Sequence, residues 1–220
     1  MPSSIRTFII ISNVFLISCD AARILGFFSS VSYSNLIIYT AVTEALAEDG
    51  HNVTVLANYP NPGNKKNQDN YHFIHLNNHD EFDGQRLVNN NWGHYGKGFR
   101  IIDERMQCAN RTLNHSKMLR FLKEHSERDY DLVIIGFSVM AWGLGAHFQC
   151  PIVVVLPSRP FYNIERLIGN PSEVSYYPRL TKAFKPPFNM KEKLQNWFAY
   201  GIERFVLQSY VKRQDEKFYR

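Results

Sequence analysis

Residues 23–60 read RILGFFSSVSYSNLIIYTAVTEALAEDGHNVTVLANYP, and this stretch decides the fold. Its apolar opening predicts a strand, the segment LIIYTAVTEALAEDG predicts a helix, and HNVTVLANYP predicts a second strand closed by proline. A helix that joins two strands in this way is the βαβ unit of a parallel sheet. Ligands of such sheets bind where strands end and helices begin, so residues 29–35 are the first candidate for a binding site.

The helix of this unit carries apolar residues at three- and four-residue steps, which predict the face that packs on the sheet. The residues of that face are Ile37, Ala41, Val42, Ala45 and Leu46. Gly50 is well placed to end the helix, since glycine adopts the left-handed backbone conformation at little cost. The following strand is expected to be covered on both sides, because Val53, Val55 and Leu56 alternate little with polar residues.

Further strands and helices alternate along the chain. We expect strands over residues 71–76, 131–136 and 151–156, one long helix or two over residues 99–126, and a helix over residues 138–148. This alternation predicts a doubly wound parallel α/β sheet of the Rossmann type. In the common strand order the first and fourth strands are neighbours, so the loops at Asn35 and at residues 136–138 are expected to face one crevice.

The first 22 residues differ in kind from the rest of the chain. Arg6 precedes an apolar run over residues 8–17, and residues 19–22 offer small side chains for cleavage. The pattern is typical of a secretory signal peptide and is short for a membrane span, and the alternative is a buried first strand or helix. A signal peptide predicts the endoplasmic reticulum lumen or the secretory pathway, which is an oxidising compartment.

Two cysteines follow the predicted cleavage site, Cys108 and Cys150, so at most one internal disulfide is expected. Sequence separation does not say whether they meet, and two free, buried cysteines are favoured. Asn52, Asn110 and Asn114 each begin an N-glycosylation sequon. The first opens a buried strand, so glycosylation is expected at Asn110 and Asn114.

The net charge of +5 comes from the C-terminal segment. Residues 181–220 hold nine basic and four acidic side chains, whereas residues 1–180 are balanced, so no nucleic-acid-binding face is expected. Residues 188–212 predict an amphipathic helix whose apolar face comprises Leu194, Trp197, Phe198, Ile202, Phe205, Val206 and Tyr210. Packing on this domain's sheet or on another domain is the usual reason for such a face, and contact with an anionic membrane surface is the alternative.

Five stretches of the chain resemble the N-terminal half of animal UDP-glycosyltransferases of the UDP-glucuronosyltransferase-like kind. They are ARILGFFSSVSYSN, TEALAEDGHNVTVL, YDLVIIGF, CPIVVVLPS and GNPSEVSYYPRL, and the resemblance runs from about Arg23 to the C-terminus. It implies one half of a two-domain GT-B glycosyltransferase, with a Rossmann-like acceptor-binding domain over residues 23–180 and a basic helical segment over residues 181–220. The activity it implies is transfer of a hexosyl or glucuronosyl group from a UDP-sugar to small lipophilic acceptors.

The resemblance places the family's catalytic base at Asn35 and its catalytic acid at Gly136. In the family a histidine deprotonates the acceptor hydroxyl, and an aspartate orients that histidine and stabilises its cation. An amide does not accept a proton at physiological pH and glycine has no side chain, so neither role is expected to be retained. We expect the acceptor to contact Ser32, Tyr33, Ser34, Asn35, Trp92, Phe137 and Ser138.

A replacement base is hard to find in this sequence. Tyr33 offers only a phenol, which is a poor base, His51 opens a strand at the far end of the sheet, and His94 lies in an asparagine-rich loop that could fold over the cleft. Metal binding is not expected either, because alternate strand positions separate the side chains of the only candidate group and no cysteine completes a zinc spacing. That group is His72, His75, His79 and Asp80.

Two functions are consistent with these residues. In the first, the chain is the acceptor-binding part of a UDP-glycosyltransferase and is truncated or inactive by itself, since the donor-binding domain and membrane anchor of the family are expected to lie outside it. It then binds no cofactor, and the UDP-sugar donor occupies the other half. In the second, it is a non-catalytic protein that holds a lipophilic ligand or regulates an active relative as an oligomer partner.

Overall fold

The computed structural model describes residues 21–63, 69–76, 94–158, 164–165, 168–170, 173–175, 177–179 and 185–218. Its strands are β1 (Arg23–Phe28), β2 (Asn52–Ala57), β3 (Tyr71–His75), β4 (Leu132–Ile135) and β5 (Ile152–Val154). They form one parallel sheet in the order β3-β2-β1-β4-β5. The predicted Rossmann-type sheet is therefore confirmed, with the first and fourth strands adjacent at its centre.

Helices connect the strands and extend the chain beyond the sheet. Helix α1 (Tyr33–Glu48) joins β1 to β2, and helices α2 (His94–Leu113) and α3 (Ser116–Glu124) precede β4. A 3₁₀ turn (Val139–Trp142) and helix α4 (Gly143–Phe148) join β4 to β5. Helix α5 (Met190–Ile202), a π-helical turn (Glu203–Leu207) and helix α6 (Gln208–Phe218) form the C-terminal part. The helical region predicted over residues 99–126 is thus two helices.

The core lies on both faces of the sheet, because successive strand side chains point to opposite sides. Ile24 and Phe28 of β1 pack towards α1, in a cluster that contains Leu36 and Tyr39. Leu25 and Phe27 pack on the other face, in a cluster drawn mainly from α2, α3 and α4. Each large apolar side chain buried in this way contributes about 1.5–3 kcal/mol.

The predicted inner face of α1 is wrong. Ile37 is 48% exposed, Val42 is 36% exposed, and Ala41 and Ala45 are also exposed, while Leu46 is half-buried. The helix instead buries Leu36, Tyr39, Thr40, Thr43 and Ala47. The threonines tolerate burial because each hydroxyl donates to a carbonyl oxygen of its own helix, Thr40 to Leu36 at 3.0 Å and Thr43 to Tyr39 at 3.2 Å. Apolar residues surround this helix, so their spacing did not identify the face that the sheet selects.

The end of α1 is as predicted. Gly50 has φ +94°, a left-handed conformation in which any side chain would be strained. Its amide donates to the carbonyl oxygen of Ala47 at 3.0 Å, and the His51 amide donates to that of Leu46 at 3.1 Å. These bonds satisfy helix carbonyls that would otherwise have no partner, and they turn the chain directly into β2.

The C-terminal segment matches only part of the favoured expectation. Leu194, Trp197, Phe198 and Phe205 are exposed, so packing of this face on the sheet of its own domain is wrong for these residues, and packing on another domain stays a prediction. Ile202 and Tyr210 are half-buried. No helix within the described ranges is long and apolar enough to cross a membrane. Residues 1–20 of the predicted signal peptide lie outside the described residues.

Cys108 and Cys150 are not joined by a disulfide, but the expected burial holds only for Cys108, since Cys150 is half-buried. Cys108 is buried in α2, and its thiol donates to the carbonyl oxygen of Ser30 at 3.5 Å. Asn110 and Asn114 are exposed one helical turn apart, and the side-chain Nδ2 of Asn114 donates to Asn110 Oδ1 at 2.8 Å. Both positions are accessible to an oligosaccharide, and glycosylation there stays a prediction.

Candidate acceptor site

The loop after β1 is held by a buried asparagine from the end of the neighbouring strand. Asn58, which is 2% exposed, accepts from the Ser30 amide through Oδ1 at 2.9 Å. Its Nδ2 donates to the Ser30 carbonyl oxygen at 2.7 Å. The two bonds satisfy both backbone groups of Ser30 in a place that water does not reach, so they fix the path of the loop.

Three serines continue this loop into the first turn of α1. Ser30 Oγ donates to the Ser32 carbonyl oxygen at 2.7 Å, and the Ser32 and Ser34 hydroxyls lie 2.7 Å apart. The Asn35 amide donates to the Ser32 carbonyl oxygen at 3.2 Å. Helix α1 already begins at Tyr33, so Asn35 belongs to its first turn rather than to the predicted loop. Ser32 and Asn35 are half-buried and Ser34 is exposed.

The position that the resemblance assigns to the catalytic acid is filled by another side chain. A Cβ atom added to Gly136 would lie 2.8 Å from Cζ and Oη of Tyr39 and 2.9 Å from its Cε2. Tyr39 is 2% exposed and stacks on Phe28, with ring centroids 4.8 Å apart. The structure therefore leaves no room for a carboxylate at position 136 unless Tyr39 moves.

The half-buried guanidinium of Arg105 lies near this tyrosine. The Arg105 guanidinium carbon is 3.9 Å from the centroid of the Phe137 ring, a cation–π contact, and its Nε and Nη1 atoms are shielded from solvent. Burial lowers the pKa of Arg105 to about 10, and the nearby Tyr39 acts in the opposite direction. Arg105 therefore stays positively charged at neutral pH.

Tyr39 is equally unsuited to act as a base. Burial raises the pKa of Tyr39 to about 12, while a hydrogen bond with the Phe137 backbone and the charge of Arg105 act in the opposite direction. A neutral phenol therefore lies next to Gly136 and a guanidinium next to Phe137, and neither group accepts a proton near pH 7. Sequence reasoning missed both residues. Arg105 looks like an ordinary polar residue of an amphipathic helix, and Tyr39 belongs to no motif that indicates a site.

Two further hydroxyls lie at the carboxyl ends of neighbouring strands. Ser29 follows β1, Ser138 follows β4, and Ser138 is 5% exposed. The Oγ atoms of both are buried without a hydrogen-bond partner among the described residues. Buried hydroxyls usually have a partner, so these two are suited to meet a polar group of a ligand.

The other predicted contacts are distributed around this edge of the sheet. Tyr33 is exposed and packs edge-to-face on Tyr59 with ring centroids 5.9 Å apart. Phe137 is half-buried at the end of β4. Trp92 lies outside the described residues, and ligand contact by the remaining positions stays a prediction.

Two histidines lie away from the crevice, and the described residues contain no cluster suited to a metal ion. His51 precedes β2 at the opposite edge of the sheet, where its Nδ1 accepts from the Ala22 amide at 3.1 Å. His75 ends β3 and contacts the Asn58 carbonyl oxygen at 3.3 Å, one strand beyond the crevice. His94 is the first residue of α2. Within the described ranges no three His, Cys, Asp or Glu side chains come together, and His79 and Asp80 lie outside them.

The sheet and the two loops at its centre define a Rossmann-type domain whose candidate site lies at the switch point between β1 and β4. No protein-family model matches the chain. It is 28% identical over 194 residues to the UDP-glycosyltransferase UGT4 of Dactylopius coccus, an alignment that covers 84% of this chain and 36% of that relative. It is 25% identical over 207 residues to UDP-glucosyltransferase 2 of the same organism, covering 86% and 37% of the two chains.

These similarities show that the chain is related to the UDP-glycosyltransferase family, as its motifs predict. The chain spans little more than a third of the length of the curated relatives it matches. Among solved structures, the crystal structure of LpCGTa in complex with UDP aligns with 81% of this chain and 44% of that chain. The TM-score of that alignment is 0.39 and its sequence identity is 13%.

Proposed function

We propose that this domain is the acceptor-binding half of a GT-B UDP-glycosyltransferase relative, and that it binds a small lipophilic molecule without supplying a catalytic base. The observation that carries the proposal is the packing of Tyr39 into the space beside Gly136. The absence of a histidine at position 35, taken alone, could be compensated by another base nearby. At position 136, however, a buried aromatic ring occupies the space that a carboxylate would need. This supports a site that no longer deprotonates its ligand.

The expected kinetic consequence is large. A positioned general base contributes about 10²–10⁴ to a rate, and the described site contains no side chain that replaces it. We propose a UDP-sugar as the donor because the two relatives are named as a UDP-glycosyltransferase and a UDP-glucosyltransferase. A UDP-sugar would then be held by a second domain and not by the residues described above.

The chemistry of the crevice supports a lipophilic ligand with one or two polar groups. Tyr33, Tyr59 and Phe137 offer aromatic surface, and the buried hydroxyls of Ser29 and Ser138 offer hydrogen bonds. Largely apolar walls with a few placed polar groups are the usual composition of a small-molecule site. We therefore propose phenols and alcohols as the ligand class.

Binding and transfer are tested on the same protein. Binding to a panel of phenols and alcohols is measured by calorimetry, and sugar transfer is measured with radiolabelled UDP-glucose and UDP-glucuronic acid on the full-length gene product. We expect binding without transfer. Transfer by the unaltered protein at a rate typical of an enzyme, about 1 s⁻¹ or faster, would refute the loss of catalysis.

A set of three variants tests whether Tyr39 blocks the site. Asn35→His with Gly136→Asp alone is expected to remain inactive and to lose stability, because the new carboxylate meets the Tyr39 ring. Adding Tyr39→Leu makes room for it and is expected to yield transfer. Adding Tyr39→Phe is the matched control, since a phenylalanine ring keeps the Cζ and Cε2 atoms that obstruct position 136.

The second candidate function is regulation of an active relative. It is favoured by the absence of a histidine at position 35 and of an aspartate at position 136 in a chain that keeps the parallel sheet. Co-purification with an active UDP-glycosyltransferase, together with a change in that enzyme's rate, would support this function over ligand storage.

Residence in the endoplasmic reticulum lumen or the secretory pathway is part of the proposal. It rests on the apolar N-terminal run and on the exposure of Asn110 and Asn114. Digestion with endoglycosidase H is expected to increase the electrophoretic mobility of the protein. Asn110→Gln combined with Asn114→Gln should remove that change, and an unchanged mobility of the natural protein would contradict glycosylation.

A further inference from the structure

Helix α5 exposes its apolar side chains to solvent. Five large apolar residues, which we call the apolar stripe, are between 58% and 73% exposed. They are Met190, Leu194, Trp197, Phe198 and Phe205. Their spacing of three, four and seven residues keeps them on one side of the helix and its π-helical continuation. A rise of 1.5 Å per residue makes this stripe about 22 Å long.

The opposite side of the same helix is buried and polar. Asn196 and Glu203 are 0% and 5% exposed, and Ala199 lies between them. Asn196 Oδ1 accepts from the Arg179 amide at 2.7 Å, and its Nδ2 donates to the carbonyl oxygens of Val174 and Tyr177 at 2.7 and 2.8 Å. The usual arrangement of a surface helix is therefore inverted.

A buried ion cluster holds the helix in this orientation. Arg179, which is 1% exposed, donates through Nε and Nη2 to Glu203 Oε2 at 2.9 and 2.5 Å. Its Nη1 donates to Glu165 Oε2 at 3.2 Å. Turning the helix to hide the apolar stripe would separate the buried carboxylate of Glu203 from Arg179, and breaking a buried ion pair in this way is strongly unfavourable. The exposure of the stripe is thus built into the fold.

The charges around the stripe are positive. Lys191, Lys193 and Arg204 are exposed, and at 100° per residue they flank the stripe on both sides. The two acidic residues between positions 190 and 205 do not oppose them on this surface. Glu192 accepts from the Asn189 amide as part of the helix cap, and Glu203 belongs to the buried cluster. An apolar strip with a cationic border matches the surface of an anionic bilayer.

We infer that helix α5 lies in the plane of an anionic phospholipid surface, with the apolar stripe inserted at the boundary between headgroups and acyl chains. Trp197 and Phe198 are the main apolar anchors, and Lys191 and Lys193 extend to the lipid phosphates. This inference does not depend on the ligand of the crevice or on sugar transfer.

The test measures binding of the full chain to lipid vesicles by sedimentation. Vesicles of phosphatidylcholine mixed with phosphatidylserine are expected to bind the protein, and added salt is expected to weaken binding. Pure phosphatidylcholine vesicles are expected to bind it weakly. Lys191→Gln and Lys193→Gln should each lower the partition coefficient about 5-fold. Trp197→Ala should lower it about 10-fold or more, because a large apolar side chain no longer enters the lipid.

Helix α1 provides a matched control. Ile37 and Ile38 are 48% and 43% exposed, comparable to Trp197, but no basic side chain lies within α1. Ile37→Ala and Ile38→Ala are expected to leave vesicle binding unchanged. All these substitutions are at exposed positions, and circular dichroism verifies that each variant is folded.

Several results would overturn the inference. One is a natural protein that does not bind anionic vesicles, and another is a folded Trp197→Ala variant that binds them as well as the natural protein does. A third is a dimer in solution that Trp197→Ala converts to a monomer, since the stripe would then be covered by a second copy. The fourth is protection of residues 190–205 from hydrogen exchange in a longer gene product without lipid, since another domain would then cover them.

Discussion

Replacing Gly136 by alanine places a methyl group in space that the ring of Tyr39 occupies. The new Cβ would lie 2.8 Å from the Cζ and Oη atoms of Tyr39, about 0.7–1.2 Å closer than the optimal separation of non-bonded atoms. Tyr39 has little freedom to withdraw, because it is buried, stacked on Phe28 and hydrogen-bonded to the Phe137 backbone. Overpacking of this kind costs about 1–3 kcal/mol.

The same substitution also has a stabilising effect, which is smaller than the cost of overpacking. Gly136 does not have a positive φ, so alanine fits its backbone and stabilises by about 0.4–1 kcal/mol through the unfolded chain. The expected net effect of Gly136→Ala is a loss of about 1–2 kcal/mol in the free energy of unfolding. Urea unfolding followed by circular dichroism measures it. Gly201→Ala is the control, since no atom lies within 4 Å of its added Cβ, and it should stabilise the helix by up to about 1 kcal/mol.

A double-mutant cycle identifies the cause of the loss. In a Tyr39→Leu background the same alanine should be neutral or slightly stabilising, so the coupling between the two positions should be about 1–3 kcal/mol. A loss below about 0.5 kcal/mol in the natural background, or an equal loss in both, would refute the reasoning. Position 136 would then have room for a carboxylate, and the argument for a remodelled site would fail.

Three further predictions concern other parts of the fold. Asn58→Ala removes both bonds to the buried backbone of Ser30 and should lower the free energy of unfolding by about 1–3 kcal/mol, whereas an unchanged urea midpoint would show that the loop is held by other contacts. The pKa of Tyr39 is raised to about 12 from its ordinary 10, so its stabilisation is complete below pH 10 and is lost as the pH rises from 10 to 12. Tyr39→Phe should remove this loss of stability when urea unfolding is measured between pH 10 and 12. Arg105 contributes in the opposite direction, but it does so equally in both proteins. Identical alkaline stability profiles of the two proteins would contradict the raised pKa of Tyr39. Arg179→Met leaves two buried carboxylates without their cation and should destabilise by about 3–5 kcal/mol, with faster hydrogen exchange in α5; slow exchange there would show that other contacts hold the helix.

The sheet could be predicted from the sequence because its signals are local. Apolar β-branched runs define the strands, glycine at position 50 marks the end of α1, and parallel connections follow a small number of rules. The same rules place β1 beside β4 and thereby bring Asn35 and Gly136 to one edge of the sheet. The catalytic roles that the resemblance gives to these two positions stay a prediction.

The orientation of the helices could not be predicted in the same way. Helix α1 has apolar residues on nearly every side, and helix α5 has a regular apolar stripe that the fold turns outward. Periodicity identifies a face, but the atoms that the helix meets decide which face is buried. For α5 those atoms belong to Arg179, whose buried charge must be matched by Glu203.

The sequence by itself determined the parallel sheet, the family relationship and the absence of a histidine and an aspartate at positions 35 and 136. Only the tertiary structure decided that Tyr39 and Arg105 lie beside position 136, because they come from two helices that the sequence separates and the sheet brings together. Which amino acid occupies a position is a local property of the chain. Whether space remains at that position depends on side chains from distant segments, and close packing makes that dependence strong.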